Sequence, residues 1–162
     1  LNGFRLAPTA NHDNHFANWG TGHSTRTAIV AERLSERGLY DAIDQRAVYA
    51  TEDENLELRL YADERIPAGS SHATLRDSIS LEVLVLDPDR AGAFDLVIYR
   101  GMIGGEFVDI VVQEVVLSGA WANVEVALPE IGEQFVFVEV RDVEANRFSW
   151  SAPIWIDRLR PN

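Results

Sequence analysis

The sequence predicts a mainly β protein, an immunoglobulin-like antiparallel β-sandwich preceded by a short α/β segment. Three observations point there. Apolar and polar residues alternate with a period of two through most of the chain after Leu56, clusters of turn residues separate the alternating runs, and only one stretch shows a helical period. An apolar content of 46% against 25% charged residues suits a packed core of ordinary size.

Taken in order, Phe4-Arg5-Leu6-Ala7 reads as a short strand, and the His-, Asn-, Gly- and Thr-rich stretch from Ala10 to Thr27 reads as loop. Thr27 to Ala31 reads as a second strand. Leu39, Ala42, Ile43 and Ala47 then recur at helical spacing behind Ser35, a suitable N-cap, which predicts a helix over residues 36 to 46. Val48 to Thr51 leaves it as a strand, and the acidic cluster Thr51-Glu52-Asp53-Glu54-Asn55 marks a boundary. The expected organisation is therefore residues 1–54 as one unit and residues 55–162 as the sandwich.

Within the second unit, Leu56, Leu58 and Leu60 alternate with Glu57 and Arg59, and Ile79, Leu81, Val83 and Val85 alternate with Ser80 and Glu82. Phe94, Leu96 and Ile98 follow, then Phe107 to Val116, Val124 to Leu128, Phe135 to Val140 and Ser149 to Ile156. Each is a half-buried strand. Pro67-Ala68-Gly69, Asp87-Pro88-Asp89, Gly104-Gly105, Ser118-Gly119, Pro129 to Gly132 and Glu144 to Asn146 supply the turns. His72, in a polar stretch after the first of these turns, is expected as a surface loop residue.

Charge and composition exclude several functions. A net charge of -12 repels phosphate backbones and anionic head groups, and the 14 cationic side chains, all arginine, are scattered, so a nucleic-acid partner is not expected. No apolar run is long enough to span a bilayer. With no cysteine, thiolate chemistry and cysteine-ligated metal are ruled out, but both oxidising and reducing compartments remain open. Leu1 is not an initiator and the single methionine is Met102, so further polypeptide, including any targeting signal, is expected upstream.

One stretch carries chemistry. His12, His15 and His23 fall close together in Asn11-His12-Asp13-Asn14-His15-Phe16-Ala17-Asn18-Trp19-Gly20-Thr21-Gly22-His23. Imidazole and carboxylate are the side chains that zinc, manganese or iron takes when no thiolate is present. In an extended backbone Asp13 and His15 project to the same side and can reach one ion, while His12 points away. The same residues also suit an Asx turn with solvated histidines. Trp19 is expected to be a packing anchor.

The segment from Phe4 to Asp53, with Asn11-His12-Asp13-Asn14-His15, Trp19-Gly20-Thr21, Arg26-Thr27, Asp41-Ala42-Ile43, Arg46 and Tyr49-Ala50-Thr51-Glu52-Asp53, resembles the end of the catalytic domain in PHP (polymerase and histidinol phosphatase) metallohydrolases. It is most similar to bacterial members that carry a β-sandwich after the barrel, and Ser151 to Ile156 resembles their terminal strand. The resemblance implies a distorted β/α barrel with clustered divalent ions, hydrolysis of phosphate esters or related bonds, and Asp13 and His15 as the family's last Asp-x-His ligand pair. It further implies His12, Asn14, His23 and Arg26 as groups around the ions or the substrate. The family's opening His-x-His motif has no counterpart here, so the resemblance implies a fragment inactive by itself, with a small ester or phosphoester substrate for the parent protein. Two other roles remain open for the sandwich: a carbohydrate- or protein-binding module using Trp121, Trp150 or Trp155, or a structural domain that caps the barrel or forms a homodimer.

Overall fold

The structure, a computed structural model, describes residues 3–63, 65–106 and 108–161. Strands take 49% of the described residues and helix 6%, so the core is assembled from sheet. In chain order the elements are β1 (Arg26–Ile29), α1 (Glu36–Asp44), β2 (Val48–Thr51), β3 (Glu57–Ala62), β4 (Ile66–Pro67), β5 (Ser71–Thr74), β6 (Ser78–Leu86), β7 (Ala93–Met102), β8 (Val108–Leu117), β9 (Trp121–Ala127), β10 (Gly132–Asp142), β11 (Arg147–Ser151) and β12 (Ile154–Arg158).

Among the described residues the strands form two sheets. The smaller runs β4-β3-β6-β9, antiparallel throughout. The larger is organised on β10, which pairs with β7 along one edge and with β12 and then β11 along the other. β8 extends the sheet beyond β7. On the far side, β2 and β1 continue from β11, while β5 lies parallel to β12.

Alternation decides which side chains fill the space between the sheets. On β6, Ile79, Leu81, Val83 and Val85 are buried while the intervening residues are only half-covered. Leu58 and Leu60 of β3, Leu96 and Ile98 of β7, and Val136, Val138 and Val140 of β10 meet them in one continuous apolar core. The outward face of the larger sheet also carries aromatics. Tyr99 and Phe137 stack with ring centroids 4.9 Å apart, and Phe135 lies beyond Phe137 at 6.3 Å. Phe135 sits directly across from Gly101, where an added Cβ would lie 2.5 Å from its ring. Glycine is thus required there by the close approach of an aromatic neighbour.

The strands expected after Leu56 are present, with three differences. β8 begins at Val108; Phe107, expected to open it, lies outside the described residues. The run expected from Ser149 to Ile156 breaks at Ala152-Pro153 into β11 and β12, because proline lacks the N–H that a continuous ladder needs. β4 and β5 were not legible, β4 being only two residues long and β5 a polar run without apolar alternation. His72, expected in a loop, lies on β5 opposite Ile156 and is half-buried.

At the N-terminal end, Phe4 to Ala7 forms no strand and Phe4 and Leu6 stay exposed. An extended segment becomes a strand only by pairing its backbone with a neighbour. α1 forms behind the expected cap but ends at Asp44, with Arg46 at a φ of 57° outside it: Ser35 accepts a hydrogen bond from Gly38 N at 3.1 Å, and Arg37 pairs with Asp41 one turn on. β1 and β2 flank this helix yet pair antiparallel, whereas successive strands of a β/α barrel run parallel.

The expected boundary at residues 54 and 55 falls in a turn that is tied to the neighbouring strands from both sides. β2 pairs with β11, and the Tyr49 hydroxyl donates to Leu56 O at 2.7 Å; burial raises the pKa of this phenol above its ordinary value. The Asp53 carboxylate accepts from Asn55 N at 3.0 Å, Leu56 N at 3.1 Å and the Arg147 guanidinium at 2.6 Å. Burial pushes the Asp53 carboxyl upward, but the Asn55 N–H, Arg147 and the Leu56 N–H together outweigh it, and the group is held below its ordinary value.

Two measurements check this account. In urea titrations, Ile98→Ala, at a site with no solvent exposure, is expected to destabilise by about 2–5 kcal/mol. Ile110→Ala, on the exposed edge strand, should stay within about 0.5 kcal/mol of the parent. Asp53 favours the folded state above the unfolded carboxylate range, near about pH 4, and that contribution disappears as pH falls through its lower folded value. Asp53→Asn should therefore cost about 1–2 kcal/mol at pH 7, with the gap closing in chemical denaturation series taken to about pH 3; a gap independent of pH would contradict the assignment.

Candidate functional site

The histidine-rich stretch emerges as a surface loop fastened to β1. Its start is held by a reciprocal pair: Ala10 N donates to Thr27 Oγ1 and Thr27 Oγ1 donates to Ala10 O, both at 2.9 Å. Its end is held by Arg26. The Nη1 of Arg26 reaches His12 Nε2 at 2.6 Å, His23 O at 2.7 Å and Thr25 O at 2.9 Å, and Nη2 donates to Gly20 O at 3.3 Å. A planar guanidinium with several N–H groups can serve several acceptors at once. Arg26, expected to face a substrate anion, is instead occupied by the loop itself.

Asp13 and His15 are brought together, with Oδ1 and Nε2 3.7 Å apart, and both side chains are open to solvent. The route differs from the expected extended backbone. Asp13 has φ of 45°, in the left-handed region that aspartate tolerates better than most residues. Asn14 supplies the turn: its Oδ1 accepts from Phe16 N at 2.7 Å, and its Nδ2 donates to Asn18 O and Oδ1. The Asx turn expected of these residues forms, and it brings Asp13 and His15 side by side. His12 and His23 meet edge to face, with ring centroids 6.1 Å apart.

Beside this pair lies an open depression of about 360 Å³ lined by Asn11, His12, Asn14, Trp19, Arg26 and Thr27, among others. Trp19, expected as a packing anchor, is 76% exposed on its rim. Among the described residues none covers its indole.

A divalent ion fits this loop only in part. Asp13 and His15 have the right chemistry and are mutually close. However, no cluster of three or more His, Cys, Asp or Glu side chains suitable for an ion occurs among the described residues, and His12 Nε2 is already paired to a guanidinium. Comparison with known proteins adds no assignment. Neither the family models nor the curated proteins contain a match to this chain. No helix among the described residues is long and apolar enough to cross a membrane.

A second polar group surrounds His72, whose Nε2 lies 3.9 Å from Asp63 Oδ2, with Arg76 on the same carboxylate. Arg5 bridges Ser71 and Glu133 nearby, around a shallow space of about 260 Å³. The sequence carried no signal for this grouping, because β5, the β3–β4 turn and β10 converge only in the fold.

The other tryptophans divide as their positions in the sheets require. Trp155 is buried under Arg5 and Arg46, while Trp150 is half-buried, stacked on Phe148 and donating to Glu139 Oε2 at 2.8 Å. Iodide quenching of tryptophan fluorescence tests the placement. Trp19→Phe should remove the largest share of the quenchable emission and shift the unfolding free energy by less than about 0.5 kcal/mol. A substantial loss of stability would mean the indole is packed.

Proposed function

We propose that this chain is the terminal part of a PHP-type metal-dependent hydrolase acting on a small ester or phosphoester, to which it contributes Asp13 and His15 as one ligand pair. The supporting observation is the approach of these two side chains, solvent-open and 3.7 Å apart on an irregular loop, in a sequence that resembles the end of that family's catalytic domain. Divalent zinc, manganese or iron held there would polarise a substrate oxygen and acidify bound water. On this reading the remaining ligands come from polypeptide outside these 162 residues, and the barrel contribution is confined to what precedes β1, since β1 and β2 pair antiparallel. The chain's own residues position the pair: Asn14 closes the turn, and Thr27 and Arg26 anchor it to the sheet.

The sandwich is read as immunoglobulin-like and without chemistry of its own. Support comes from the pairing order, with β3-β6-β9 in one sheet facing β8-β7-β10-β12 in the other. A second reading, a binding module for carbohydrate or protein, draws on one patch of the smaller sheet. Trp121 there is 42% exposed, Tyr61 lies 6.0 Å from it, and the Arg65 guanidinium spans both rings.

The deciding experiment measures metal content and hydrolysis of a model phosphodiester by this chain joined to the residues that precede it in its gene. Bound zinc, manganese or iron and turnover are expected, and Asp13→Ala and His15→Ala should each lower kcat/KM by roughly 100-fold or more. The 162-residue chain alone should show no turnover and only weak metal binding. Loss of glycan binding on Trp121→Ala in a protein that holds no metal would favour the binding module instead.

A further inference from the structure

We infer that the outward face of the larger sheet is a docking surface for a second copy of this chain, the two copies packing face to face through β8, β7 and β10. The inference goes beyond the proposed function and does not depend on it.

The two sheets treat their outward faces differently. On the smaller sheet the outward side chains of neighbouring strands are mostly polar: Arg59 and Tyr61 of β3, Ser80 and Glu82 of β6, Asn123 and Glu125 of β9. That is the pattern of a sheet with one face in water. The larger sheet departs from it. Its register places Val108, Ile110, Val115 and Leu117 of β8 on the outward face, and these four side chains are 39%, 59%, 66% and 62% exposed. Tyr99 of β7, opposite Ile110, stacks on Phe137 of β10, and the stacked pair of Phe148 and Trp150 follows on β11, all four half-buried. A contiguous apolar face of this kind marks an interaction site.

Charge selects the occupant. The chain carries a net charge of -12, yet between Phe135 and Arg141 the outward residues of β7, β8, β10 and β11 include only Asp95, Glu139 and Arg141 as charged groups. Asp95 and Arg141 are cross-strand partners, and Glu139 accepts from Trp150 Nε1 at 2.8 Å. A basic partner would be drawn to the carboxylates elsewhere on the surface, since interfaces match opposite potentials. A nearly neutral face suits a second copy, because two chains of the same negative charge repel least where they meet across it.

The size of the face agrees. Four strands about 4.8 Å apart, each presenting about nine residues at about 3.3 Å, make a face of roughly 600 Å². Two such faces bury roughly 1,200 Å², the lower end of stable interfaces, so association is expected in the upper micromolar range. The free edge of β8 is the poorer contact. Val111 is passed over in the register with β7, where Ile98 pairs with Val112 and Tyr99 with Ile110. Such a bulge kinks an edge strand and discourages the addition of another.

Sedimentation velocity of the 162-residue chain, at protein concentrations from about 1 μM to about 1 mM, tests the inference. A reversible monomer–dimer equilibrium is expected, and added salt should strengthen it by screening the repulsion between copies. Val115→Asp and Val115→Arg should each raise the dissociation constant roughly tenfold or more, because either buries an unpaired charge. Trp121→Asp, on the opposite sheet, should leave it within about twofold of the parent. Circular dichroism and urea titration show that each variant is folded. A chain that stays monomeric throughout overturns the inference and leaves the face to a different polypeptide. A dimer that tolerates both Val115 variants overturns it as well, whether or not Trp121→Asp disrupts that dimer.

Discussion

The hydrogen-bond ladder along β10 is the constraint on which the rest of this molecule depends. One strand serves two partners on one edge and a third on the other, and its inward residues Val136, Val138 and Val140 reach the middle of the core. A slip of one residue along β7 would turn those three valines outward and bring Phe135, Phe137 and Glu139 into the core. The register also sets where β12 ends and β11 begins. Ser151 marks the changeover, its Oγ accepting from Val138 N at 3.0 Å where the ladder would otherwise leave a buried donor unpaired.

Much of the N-terminal part is hung from this frame through β11. β2 pairs with it, Arg147 at its start binds Asp53, and Glu52 accepts from Phe148 N. The β1–β2 pair therefore continues the larger sheet. The histidine loop comes last in this hierarchy. It contributes nothing to the core and is shaped by polar contacts, chiefly those of Arg26, Thr27 and Asn14. A rigid sheet carrying an open polar loop is the common arrangement of a binding or catalytic site, and it leaves the loop free to meet another surface.

Strand positions were legible because burial on one face imposes alternation, and β3, β6, β7 and β9 lie where their apolar spacing put them. α1 was legible for the same reason at its own period, with Ser35 as the cap. β4 and β5 were not: β4 has only two residues, and β5, Ser71-His72-Ala73-Thr74, carries no apolar run to mark it. Phe4 to Ala7 reads as a strand by composition and forms none, because pairing needs a backbone ladder, and this segment is held by side chains instead: Arg5 reaches Ser71 and Glu133, and Arg46 donates to Arg5 O. Trp19 misled for a related reason: a large aromatic suggests a core, but burial depends on what the fold lays over it.

The sequence by itself determined the class of structure and the chemical character of the loop: mainly β, acidic, free of cysteine, with histidine and aspartate concentrated in one short segment. Those follow from residue types and their local period, which need no distant contacts. Only the tertiary structure decided how the two sheets share their strands, that residues on both sides of Asp53 belong to one sheet, and that Arg26 closes on His12 while Asp13 turns toward His15. These are contacts between residues whose approach depends on backbone turns and strand register. Spacing in the sequence names the residues capable of such contacts, and the fold selects which of them are made.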